Sequence, residues 1–127
     1  MRKIKYLIYL VFLIVATIGI YLVINYTKTV PPKLTLIEPE NNGYLKSRDV
    51  AFSWNVIYEK NIDFLKSLYI GVATPSELIY EGIDNSHILN NLEPGTYHWK
   101  VVLKYGEQLI ESPVFSITIV NNPPQIP

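Results

Sequence analysis

The sequence has no cysteine, one methionine, two histidines and six glycines in 127 residues. Without cysteine there can be no disulfide, no thiolate zinc site and no cysteine nucleophile. His87 and His98 have no third histidine and no carboxylate at ligand spacing, so they read as solvent-facing strand residues rather than metal ligands. None of Ser53, Ser67, Ser76, Ser86, Ser112 and Ser116 lies in a Gly-x-Ser-x-Gly setting, which leaves a hydrolase nucleophile unsupported. Glu38, Glu40, Asp49, Asp63 and Asp84 do not follow the spacing of a calcium loop. No excess of positive charge exists either. The whole chain holds 11 basic and 11 acidic side chains, and residues 27–127 hold 8 and 11, without the clustered cations of a nucleic-acid surface. No catalytic, cofactor-binding or metal residue is assigned, no cofactor is expected, and the reading is not an enzyme.

Charge is also missing from the 22 residues Tyr6 to Thr27, YLIYLVFLIVATIGIYLVINYT. At about 1.5 Å per residue, a helix of this length spans roughly 33 Å, enough to cross a hydrocarbon core of about 30 Å. Tyr6 and Tyr9 stand near one end and Tyr21 and Tyr26 near the other, where amphipathic rings favour the headgroup level. Arg2, Lys3 and Lys5 precede the run, so the positive-inside rule keeps residues 1–5 as a cytoplasmic basic tail and places the remainder outside the cytoplasm, a single-pass cell-membrane topology. A cleaved signal peptide competes with this reading. Its apolar region would be shorter, about 7–15 residues, and cutting after Thr17-Ile18-Gly19 would leave apolar IYLVI at the new terminus, so a signal anchor over 6–27 is preferred. Ala16, Thr17 and Gly19 are not paired at the four-residue spacing of a helix-dimer motif, and the span reads as a plain anchor. Asn25-Tyr26-Thr27 matches a glycosylation sequon but lies in or against the bilayer, where it has no use.

Residues 28–33, KTVPPK, form a short linker that Pro31-Pro32 makes semi-rigid. Beyond it there is no helical periodicity of useful length, only short alternating runs separated by turn residues. Leu34–Ile37 opens the series and ends at Pro39 and Asn41-Asn42-Gly43. Val50, Phe52 and Trp54 alternate inward on a second strand, and Leu68, Ile70 and Val72 on a third, with Tyr69 and Gly71 opposite. Leu78–Tyr80 and His87–Leu89 give a fourth and a fifth. In LEPGTYHWKVVL, residues 92–103, the Pro94-Gly95 turn launches a sixth strand. Its Tyr97, Trp99, Val101 and Leu103 face one way, and His98, Lys100, Val102 and Lys104 the other. After a turn at Gly106, Phe115, Ile117 and Ile119 alternate on a seventh. Residues 121–127, ending NPPQIP, read as a Pro-rich tail.

The Pro-Pro start, the tryptophan of VAFSW, the LEPGTY corner, the HWKV strand and the closing SPVFSITI resemble a fibronectin type III-like domain, related to immunoglobulin-like sandwiches. The resemblance implies an all-β fold over 34–120: a seven-stranded antiparallel sandwich with Trp54 in the core and the Tyr97 hydroxyl bonded back toward the Leu92 turn. It carries no activity, because this fold serves adhesion, spacing and ligand binding alike. Arg-Gly-Asp is absent, so integrin-type adhesion does not follow. A glycosidase carboxylate pair would find little cleft in so small a sandwich. In this fold the third, sixth and seventh strands share a sheet, which puts Tyr69, His98, Val102 and Val114 on its outer face as candidate partner contacts. The chain therefore reads as a membrane-anchored interaction or structural module, with the lipid bilayer as partner through residues 6–27 and a protein as partner of the outer face. A carbohydrate-binding or enzyme-accessory domain, for which the ten tyrosines are an argument, and a small accessory subunit of a membrane complex are the alternatives.

Overall fold

A computed structural model describes residues 2–26 and 30–121. The chain divides after Val30 into two units. The first is helix α1 (Arg2–Tyr26), in which no side chain from Lys3 to Tyr21 is covered. Apolar groups surround it, so it lacks the polar stripe of a helix that packs on a soluble core. Its Thr17 hydroxyl donates to the Leu13 carbonyl at 2.8 Å, so this polar group is satisfied within the helix. The helix is long and apolar enough to cross a bilayer, a property that anchors and signal sequences share. The sequon and the linker reach into residues 27–29, and most of the tail lies beyond 121; these parts fall outside the described residues.

The second unit contains β1 (Lys33–Glu38), β2 (Gly43–Leu45), β3 (Val50–Ile57), β4 (Lys66–Gly71), β5 (Glu77–Gly82), β6 (Ser86–Leu89), β7 (Gly95–Tyr105), β8 (Gln108–Glu111) and β9 (Phe115–Ile119). One sheet runs β1-β3-β6; the other runs β2-β9-β7-β4-β5, with β8 also paired to β7. All pairs are antiparallel except β2 with β9. The seven runs legible in the sequence are all present, and two short strands, β2 and β8, are added to them. Pro32 is already buried, so the packed unit starts inside the stretch read as linker.

The inward phases are those of the alternation. Val50, Phe52 and Trp54 from one sheet meet Leu68, Ile70, Trp99, Val101, Leu103, Ile117 and Ile119 from the other in a single core. Phe52 and Trp99 form its centre edge to face, their rings 4.9 Å apart. One expected core member fails. Val72 is 71% exposed, because β4 ends at Gly71 and the chain turns away before the next inward position.

The corner around Tyr97 is closed by several bonds. The Tyr97 hydroxyl donates to the Glu93 carbonyl at 2.7 Å. The Leu92 amide donates to the Arg48 carbonyl at 2.8 Å, and the Asn91 amide to Asp49 Oδ1 at 3.0 Å. Asn91 has a positive φ of 58°, a conformation asparagine tolerates better than most residues.

Candidate interaction surface

Strands β4, β7 and β8 place their outward side chains on one solvated sheet face. Tyr69 stands directly opposite Lys100, and Val102 is flanked by Ser67 on β4 and Glu111 on β8. Lys100 Nζ lies 5.9 Å from the centroid of the Tyr69 ring and pairs with Glu111 Oε1 at 3.0 Å. These groups, with Pro75, Ser76 and Leu109, line a shallow recess of about 200 Å³. Leu109 stands on its rim with 68% of its surface open to solvent.

The four candidate contact residues fare differently. Tyr69 and Val102 share this recess. Val102 keeps the outward phase yet is only 8% exposed, so it is the floor of the recess and offers a partner almost no surface. The strand that reduces its exposure, β8, had no alternating run to reveal it. His98 sits further along β7, its Nδ1 2.9 Å from the Val72 carbonyl, and fastens the end of β4. It is half-buried, as is His87, whose ring stacks on Tyr80 at 4.9 Å. Val114 is half-exposed and lies in the break between β8 and β9, outside the recess. Leu109, which also lines the recess, is not among the residues that alternation singles out.

A second polar feature lies at the end of the sandwich where β1 begins. Lys66 is 4% exposed. Its Nζ donates to the Ile83 carbonyl at 2.6 Å and to Asn85 Oδ1 at 2.5 Å, and it forms part of a cleft of about 420 Å³. Burial pushes its pKa below the ordinary lysine value, against the opposing pull of Asp63 and Asp84. The signal for it was present: Lys66 shares the inward phase of Leu68 and Ile70. Among the described residues, no group of three or more His, Cys, Asp or Glu could hold a metal ion.

Neither a family model nor a curated protein matches the sequence. Solved structures do match in fold. A fibronectin(III)-like module of Clostridium thermocellum CbhA superposes with a TM-score of 0.58 at 20% identity, covering 68% of this chain and 94% of that one. An engineered protein superposes with a TM-score of 0.54 at 7% identity, over 73% of this chain and 21% of the other. The two-sheet topology, the bonded tyrosine corner and this likeness agree: the chain carries a fibronectin type III-like β-sandwich behind an N-terminal apolar helix.

Proposed function

We propose that the chain is a single-pass membrane protein that uses residues 6–27 as an uncleaved anchor, with its basic N-terminus in the cytoplasm. It displays the sandwich outside the cytoplasm as a non-catalytic interaction or structural module. The contact surface for a protein partner is the outer face of β4, β7 and β8. The observation that supports this reading is the recess over Val102: an aromatic wall, an ion pair and a largely exposed leucine grouped on a sheet face that solvent alone would leave polar. Tyrosine beside a half-covered cation combines apolar area with a polar handle, a composition that favours contact surfaces.

The test is co-purification of the full chain from detergent-extracted source membranes, comparing the parent with the Tyr69→Ser/Leu109→Ser double variant. Both positions lie outside the core, so the melting midpoint should correspond to a change within about 1 kcal/mol. Loss of a stoichiometric companion from the variant supports the assignment. An unchanged set of companions refutes it.

A further inference from the structure

The two ends of the sandwich differ in their loops. At one end lie residues 39–42, 46–49 and 90–94, which are Pro, Glu, Asn, Lys, Ser, Arg and Asp apart from the half-buried Leu92; the 72–76 loop adds the exposed Val72. The other end is marked by the pairing of Lys33 with Ile57 and of Lys66 with Gly82 and Leu103. Here Ile57, Ile62 and Ile83 are 57%, 50% and 54% exposed, and Leu65 is open as well. Ile62 and Ile83 come from different loops and flank the same cleft, whose interior is tied together by Lys66. This is also the end at which the chain enters the sandwich. Six residues, 27–32, separate α1 from Lys33, and a fully extended stretch of that length covers at most about 25 Å.

We infer that these isoleucine-tipped loops insert into the headgroup layer of the bilayer that the anchor crosses. The inference rests on the membrane reading above and adds a second point of attachment to it. Three observations choose lipid as the occupant. The exposed tips of Ile57, Ile62, Leu65 and Ile83 gather at the end carrying the linker, whereas the loops of the opposite end hold Val72, with Tyr44 and Ile88 exposed on the strands beside them. The short linker holds that end at high effective concentration near the lipid surface, so weak insertion of a few side chains becomes a populated state. The charges around the tips are mixed: Lys33, Lys60 and Lys104 alternate with Glu59, Asp63, Asp84 and Glu107. Attachment is therefore apolar, works on zwitterionic lipid, and is insensitive to salt.

The experiment uses the full chain in phosphatidylcholine nanodiscs, with quencher-labelled lipid carrying a nitroxide just below the headgroups. Trp54 and Trp99 are buried and supply a constant background. Ile62→Trp and Ile83→Trp are compared with Tyr44→Trp, a position 76% exposed on β2 in the other half of the sandwich. Each variant is used only if its melting midpoint matches the parent. Added quenching at least about twofold greater at positions 62 and 83 than at 44, unchanged by salt, supports insertion. Equal quenching at the three positions with the chain retained in the discs overturns it and leaves the anchor standing. A chain that the discs do not retain overturns the anchor, and this inference with it.

Discussion

Two side chains show how much a single group decides here. Tyr97 spans the corner with one hydrogen bond to Glu93, and Tyr97→Phe keeps the ring while removing that bond. The expected loss is about 1 kcal/mol, read from the urea midpoint. Lys66 works differently, because its charge opposes folding while its hydrogen bonds favour it. Its folded pKa lies below the ordinary 10.5, so between the two values the unfolded chain binds more protons than the folded one. Stability therefore rises with pH through that alkaline window, and below it the penalty is constant. The neutral amine still has two N–H groups for Ile83 and Asn85, so deprotonation removes the penalty and keeps the bonds. Comparing alkaline urea midpoints of the parent and Lys66→Met should show this rise in the parent and its absence in the variant.

Among the elements, the last strand is the instructive one. The alternating run Phe115, Ile117 and Ile119 is β9, and the structure places a further short strand, β8, before it, the two separated at Ser112-Pro113-Val114. Proline has no N–H to give to β7, so a ladder cannot continue through it. Ser112 closes the gap: its hydroxyl oxygen accepts the Val101 amide at 2.9 Å, and its own amide donates to the Val101 carbonyl at 2.9 Å. The turn from β4 to β5 has a harder constraint. A methyl group on Gly71 would lie 1.8 Å from the Thr74 carbonyl oxygen, which is backbone and cannot swing aside. Gly71→Ala should therefore cost about 3 kcal/mol, the large end of ordinary point changes, measured by thermal melting. The sequence made the inward faces of β3, β4, β7 and β9 legible, because a period of two carries its own phase. It could not announce β2, whose three residues, Gly43–Leu45, are too few for alternation and pair with a strand some 70 positions away. For the same reason it could show that Val102 points outward but not that it is covered. Phase names a face, whereas burial depends on what else packs there. Lys66 is the converse case, a charge in a core phase that reads as an exception until its two acceptors are seen.

At the scale of the molecule, the anchor and signal readings of α1 part company on mass. Membrane-extracted protein should give the intact mass of a chain that keeps its N-terminal residues; a mature start near Ile20 would sink the anchor assignment. The sandwich behind the helix has a polarity of its own. Its first strand begins at one end, at Lys33, and its last strand finishes at Ile119 beside Gly95, where β7 starts, at the other. Tension applied between these points would not peel strands apart one bond at a time. It would slide β1 along β3 and β9 along both β7 and β2, loading whole rows of backbone bonds together. The parallel pairing of β2 with β9 would add a second row of backbone bonds to one of the two strands that such a force loads.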